Sequence, residues 1–393
     1  MNKLTYFVLI LLCYGCWSPK EQSSTTEKAL KHATKQYSLL LKEADKADRI
    51  PRTTRKNGEM HWVNKNFDWT EGFFPGTLWY LYEYSKDEKF KNGAERFQAK
   101  FESHKFFTNN HDLGFIFTSS YGNAHRIIND KSDFKDVIIE ASNSLIQRFN
   151  PKVGSIQSWD VDEGWQAKRG WKFPVIIDNM MNLELLFKAS ELTGDENYRN
   201  IAIIHAETTL KNHFRENNSS YHLVDYDPET GEVRSKQTAQ GYSDESSWAR
   251  GQAWGLYGYT VCYRFTKDNR FLEQAEKIAN FIIANTSEPN QGIPFWDYDI
   301  PETDKRVDVS AATITASALL ELDKYSETQY TDFADKILKT LQDPEFTANI
   351  GENHNFILKH SVGSIPHNAE INVPLNYADY YYVEALLRKH RGL

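Results

Sequence analysis

Cysteine is almost missing from this chain: of three in 393 residues, Cys13 and Cys16 sit at the N-terminus and only Cys262 lies in the body. A lone cysteine forms no internal disulfide and no thiolate metal cluster. Cys262, set in an apolar helical stretch, reads as a small buried hydrophobe. None of the twelve histidines has another four residues on, which removes the H-E-x-x-H zinc helix, and no metal is expected. Phosphate-cradling loops are absent too, with neither a G-x-G-x-x-G nor a Walker sequence. Positive charge is in deficit, 46 Lys plus Arg against 54 Asp plus Glu, for a formal net charge of −8. Nucleic acid, which needs a basic footprint, is thereby excluded as a main partner. With 20 Gly and 12 Pro the chain is neither collagenous nor low in complexity, and 40% hydrophobic residues exclude a disordered one. No apolar run reaches the roughly 20 residues of a membrane-spanning helix.

Aromatic residues, by contrast, are abundant: 23 Phe, 21 Tyr and 10 Trp, or 14% of the chain. Such side chains fill cores and also make platforms for the apolar faces of sugar rings. The first sixteen residues stand apart, with Lys3, an apolar run from Leu4 to Leu12, then Cys13-Tyr14-Gly15-Cys16. A charged start, a short apolar stretch and a small residue before the cut describe an export signal. Gly15-Cys16 ahead of a polar segment resembles a bacterial lipoprotein signal. On that reading residues 1–15 are removed, Cys16 is lipidated, and 16–29 form a polar linker. The mature chain is then exported and meets a membrane only through that anchor; a soluble secreted or periplasmic form is the alternative.

Beyond the linker, helical periodicity dominates and similar polar corners punctuate it at 86–90, 131–134, 194–198, 267–271 and 326–330. In each, an Asp, Glu or Ser starts a helix and an aromatic follows within its first turn, the capping chemistry of a short helix-to-helix turn. The corner aromatics are 44, 64, 73 and 59 residues apart, so the units are elaborated rather than tandem copies. Five corners give ten helices, and helices near 27–47 and 377–389 make twelve. The expected fold is all-α: one domain over 30–393, an (α/α)6 barrel of six helical hairpins. Uneven spacing and long inserts at 150–171, 221–245 and 288–307 favour this closed ring, with loops decorating its mouth, over an open solenoid. One small β-hairpin is expected at 221–233, where Tyr221-His222-Leu223-Val224 alternates and Asp227-Pro228-Glu229-Thr230-Gly231 turns.

Carboxylates stand where they are costly. Asp178 lies between Val175-Ile176-Ile177 and Asn179-Met180-Met181-Asn182. It either caps a helix or is a buried acid that stays protonated at neutral pH. Asp112, in His111-Asp112-Leu113-Gly114-Phe115, has the same two readings, and two such carboxylates are what glycoside chemistry requires. The segment Ser247-Trp248-Ala249-Arg250-Gly251-Gln252-Ala253-Trp254 also reads in two ways. Its tryptophans pack in the core with Arg250 on a structural carboxylate, or they form a sugar site in which an arginine fork holds a carboxylate.

Together these three segments resemble glycoside hydrolase family 88, the unsaturated glucuronyl hydrolases. Trp69-Thr70-Glu71-Gly72-Phe73, Asp308-Val309-Ser310-Ala311 and Asp379-Tyr380-Tyr381 agree in order, so the likeness runs from about residue 30 to the end. The resemblance implies an (α/α)6 barrel that removes a 4,5-unsaturated uronic acid from oligosaccharides left by polysaccharide lyases. It also implies an unusual route: a carboxylic acid protonates the vinyl ether at C4, water adds at C5, and the hemiketal opens and expels the rest of the oligosaccharide. Asp178 would be general acid and base, and Asp112 the second essential carboxylate. His222, Gln240, Trp248, Arg250 and Trp254 would bind the sugar, Arg250 through the uronate. No cofactor is implied. A non-catalytic glycan-binding surface lipoprotein and a hydrolase of unsaturated galacturonyl-rhamnose are the alternatives. Ulvan, heparin-type and chondroitin-type fragments all fit, with selectivity expected from the mouth at 159–171 and 361–367. The acidic net charge does not exclude an acidic sugar, because it is screened within about 8 Å at physiological salt.

Overall fold

A computed structural model describes residues 24–128, 132–286 and 291–392; the export signal and Cys16 fall outside the described residues. In chain order the helices are α1 (Thr25–Ala47), α2 (Phe73–Ser85), α3 (Glu88–Gln98), α4 (Leu113–Phe117), α5 (Asn123–Ile128), α6 (Ser132–Ile146) and α7 (Leu183–Thr193). There follow α8 (Glu196–Asn212), α9 (Ala249–Thr266), α10 (Asn269–Asn285), α11 (Val309–Leu322), α12 (Thr331–Thr340) and α13 (Asn376–His390). A π-turn, Thr118–Gly122, joins α4 to α5 into one rod. The inner helices touch in sequence: α2 on α5, α4 on α7, α7 on α9, α9 on α11, α11 on α13, and α13 on α2. Helix α1 lies against both α13 and α2. The ring is therefore closed, an (α/α)6 barrel and not a solenoid.

Burial explains which helices go inside. Every residue of α11 is buried, whereas α10 buries only the stripe Phe271, Gln274, Ala275, Ile278, Ala279 and Ile282 and leaves its other face to solvent. Cys262 is fully buried in α9. At three corners Asp87, Asp195 and Asp268 cap the outer helix through the N–H groups of Lys89, Asn197 and Arg270. The corner at 326–330 departs from expectation. Helix α12 begins only at Thr331, and Asp323 accepts from the N–H groups of Tyr330 and Thr331 at 2.5 and 3.0 Å, so the aromatic precedes the helix. Helix α1 opens at Thr25 with Ser24 accepting from the N–H of Glu27, so the helical body reaches into the segment read as linker.

The strands are β1 (Pro51–Thr54), β2 (Met60–Trp62), β3 (Phe149–Asn150), β4 (Ser155–Ile156), β5 (Pro174–Ile176), β6 (Leu223–Tyr226), β7 (Val233–Gln237), β8 (Ser361–Ser364) and β9 (Ala369–Val373). The expected hairpin is β6–β7, turning at Gly231 with φ 76°. It gains β5 as a third antiparallel strand, Val175 opposite Val224. The two-stranded ribbons β1–β2, β3–β4 and β8–β9 were not expected, because strands this short carry too little alternation to stand out. No described helix is long and apolar enough to cross a membrane.

Candidate active site

The inner helices all begin at one end of the ring. Trp69 just ahead of α2, Asp112 at the N-cap of α4, and Asp178 in the 3-10 turn Ile177–Asn182 that leads into α7 line one cavity of about 90 Å³. Arg250, in the first turn of α9, lines it as well, with Gln240 and Trp159. Asp308 at the start of α11 and Tyr377 at the start of α13 reach the same place through Arg250. One glycine sets the spacing of the two carboxylates. A Cβ at Gly114 would stand 2.3 Å from the Cα of Asn182, so only glycine lets α4 start directly against the 3-10 turn. The N–H of Phe115 then donates to Asn182 Oδ1 at 3.1 Å and fixes the contact.

Asp112 stands at the N-cap of α4 but makes no side-chain cap hydrogen bond, and the N-cap of the 3-10 turn is Ile176 rather than Asp178. Asp178 is buried, and its Oδ2 has no hydrogen-bond partner. Burial pushes its pKa up to about 7 against the opposing charge of Arg250. Burial, then the charge of Asp178, holds Asp112 well above the usual carboxylate range. Each acid has an imidazole beside it. His222 Nε2 lies 3.7 Å from Asp178 Oδ2, and His111 Nε2 3.2 Å from Asp112 Oδ1. His222 Nδ1 accepts from the N–H groups of Ala239 and Gln240 at 2.9 and 3.3 Å, so its proton sits on Nε2, facing Asp178. Burial lowers both imidazoles to about 3, which keeps them neutral.

Arg250 donates to Asp308 Oδ2 at 2.9 Å, Gly363 O at 2.6 Å, Gln240 Oε1 at 3.2 Å and Val362 O, and it stacks 4.6 Å from the Trp248 ring. Its pairing with a structural carboxylate, one of the two sequence readings, is thus present, and only Nε lacks a partner. Asp112, Asp178, Gln240 and Arg250 come together in the cavity lining with His222 adjoining. Trp248 packs behind it, 4.8 Å from the His222 ring. Trp254 lies one turn further along α9 and is fully buried between Phe115 and Tyr381, in the core rather than the lining. Trp69, His111, Phe115 and Trp159 line the cavity without having been singled out as site residues. Trp69, His111 and Phe115 stand inside segments that carried the family likeness and Trp159 opens the mouth segment 159–171, but in sequence nothing sets these aromatics apart from core residues. Among the described residues no group of three or more His, Cys, Asp or Glu side chains could hold a metal ion.

A family model described as Glycosyl Hydrolase Family 88 matches residues 43–288. An unsaturated glucuronyl hydrolase of Formosa agariphila is 42% identical over 99% of this chain and 98% of its own length. The crystal structure of an unsaturated glucuronyl hydrolase specific for heparin superposes with a TM-score of 0.86 at 44% identity, covering 93% of this chain and 98% of that one. An Asp-to-Asn variant of the Streptococcus agalactiae unsaturated glucuronyl hydrolase, complexed with dGlcA-GalNAc6S, superposes with a TM-score of 0.78 at 30% identity, covering 94% and 92%.

Proposed function

Because the chain belongs to glycosyl hydrolase family 88, we infer its reaction course from that membership and from the cavity. The protein is a glycosidase that removes the 4,5-unsaturated glucuronyl residue from the non-reducing end of oligosaccharides made by polysaccharide lyases. We propose that Asp178 gives its proton to C4 of the unsaturated ring, which leaves positive charge shared between C5 and the ring oxygen. The resulting carboxylate takes a proton from water as that water's oxygen bonds to C5. The hemiketal opens by breaking the bond from C5 to the ring oxygen, and C1, now a hemiacetal, releases the leaving sugar with its hydroxyl restored. Asp112, kept protonated by burial, donates to the sugar instead of repelling the uronate. His222 presents Nε2–H to Asp178 and steadies the carboxylate form.

The observation that carries this reading is the buried, unpartnered oxygen of Asp178 with a pKa near neutrality, which fits an acid that must give and retake a proton. A purely glycan-binding role would leave both acids without a task. The test is loss of the ultraviolet absorbance of the double bond on heparin-, chondroitin- and ulvan-type unsaturated disaccharides. The heparin-type product comes first, given the 44% identity to a heparin-specific relative. No loss with any of them rejects the reading. Asp178→Asn should abolish turnover with the fold retained, and residual activity would remove Asp178 from its role. We propose, from the N-terminal pattern alone, that the chain is exported and anchored through Cys16. Cys16→Ala should then move it from the membrane to the soluble fraction.

A further inference from the structure

Arg52 on β1 lies outside the cavity lining, yet its guanidinium joins two segments that border the cavity. Its Nε and Nη2 donate to Glu370 Oε1 and Oε2 at 2.5 and 3.0 Å, a two-pronged grip on one carboxylate. Its Nη1 donates to Asp68 Oδ1. Resting on the function inferred above, we propose that Arg52 is a positioning residue, a latch that keeps the binding side of the cavity in register. Through Asp68 it holds the wall that carries Trp69, and through Glu370 it holds the strand whose carbonyls fix Arg250.

Both arms lead to the site. Asp68 also accepts from the N–H and hydroxyl of Thr70 at 3.0 and 2.8 Å and from the N–H of Asn64 at 3.3 Å, so the turn that carries Trp69 is clamped before and after it. Trp69 lines the cavity and packs 5.0 Å from the Tyr377 ring; Arg250 lies 5.6 Å over that same ring. On the other arm, Glu370 crosses the face of Gly363: a Cβ at Gly363 would stand 2.6 Å from Glu370 Cβ and 2.7 Å from its Oε2. The Gly363 carbonyl in turn accepts from Arg250 at 2.6 Å. The contacts thus close a ring around Tyr377 that begins and ends at Arg52. Glu370 pays for its place in backbone strain, since its φ of 54° is left-handed. Asn368 and Asn372 on either side share that conformation, which asparagine tolerates and glutamate rarely adopts. Asp112 and Asp178 stand apart from the ring, placed by the contact of α4 with the 3-10 turn. The latch therefore bears on binding and not on proton transfer.

Kinetics on an unsaturated glucuronyl disaccharide separate this role from plain support of the fold. Arg52→Met should raise KM about tenfold and leave kcat nearly unchanged, because the binding walls shift while the acids stay. Arg52→Lys should recover only part of the loss, since a point charge cannot grip a carboxylate in two places. Glu370→Gln should raise KM in the same direction, and adding it to Arg52→Met should bring little further loss, because the two form one latch. A residue that only supports the fold would instead lower the active fraction, seen as a reduced kcat and unfolding midpoint with KM unchanged. That pattern overturns the latch, and so do additive losses in the double variant. If Arg52→Met does not fold, Glu370→Gln decides alone, and a KM equal to that of the wild type overturns the latch. Wild-type protein that leaves the double bond of the disaccharide intact would sink the hydrolase reading, a result that no comparison of KM values can mimic.

Discussion

Burying an acid raises its pKa, and a nearby cation lowers it; at Asp178 burial is the larger effect despite Arg250. The sign of the pH dependence follows. On the proposed role the protonated form of Asp178 does the work, so kcat/KM should fall about tenfold per unit once the pH passes about 7. The flanking His222 is neutral from about pH 3 upward, so it adds no limb of its own in the working range. A pH–rate profile flat through 9 would contradict the assignment. His222→Phe removes the imidazole N–H that lies 3.7 Å from Asp178 Oδ2. On the proposed role this contact closes to a hydrogen bond once the carboxylate forms, and a hydrogen bond to a charged group is worth about 1.5–3 kcal/mol, so kcat should drop roughly tenfold to a hundredfold, measured by the same loss of absorbance. The two acids were legible in sequence because a carboxylate among aliphatic residues must be either a cap or an oddity. The commitment of Arg250 to Asp308 was not, since nothing local links residues 58 apart.

At the scale of elements, the acids are placed by a contact between the start of α4 and the 3-10 turn before α7. Gly114→Ala puts a Cβ against backbone, not against the movable end of a side chain. The two segments must part, at a cost of about 1–3 kcal/mol. The loss in turnover should exceed what stability explains, because the separation of Asp112 and Asp178 changes with it. Thermal unfolding together with the absorbance assay checks this, and activity that survives at a normal unfolding midpoint would refute the claim. The long helices were readable from caps such as Asp87, Asp195 and Asp268, whose signals are local. Strands β3 and β4, two residues each, form only because β3 finds β4, and no periodicity announces that.

For the whole molecule, six inner helices pointing the same way gather their positive ends at the cavity, where an acidic sugar is drawn in despite the negative net charge. The other end concentrates cations: Arg264 binds Glu184 and Glu321, and Arg388 binds Glu321 and Glu384. Burial within this ring also shapes stability against pH. Asp178, Asp379 and Glu71 keep protons up to about 7 when folded, and Asp112 is raised as well. His111, His205 and His222 shed theirs down to about 3 and His213 to about 4. Between about pH 4.5 and 6, folding therefore takes up protons at four carboxyls and releases nearly as many from four imidazoles, so stability is almost flat. Above about 6.5 the unfolded imidazoles are already neutral while the folded carboxyls still hold protons. The folded state then binds more, and stability falls as pH rises through 7. Below about 4 the unfolded chain binds protons at both sets and the folded imidazoles do not, so stability falls again. Unfolding midpoints measured from pH 3.5 to 8.5 should trace a plateau with two shoulders, on this linkage argument. A midpoint that climbs steadily from about pH 5 to 8 would mean that these carboxyls, Asp178 among them, are ionised in the folded protein and cannot act as the acid.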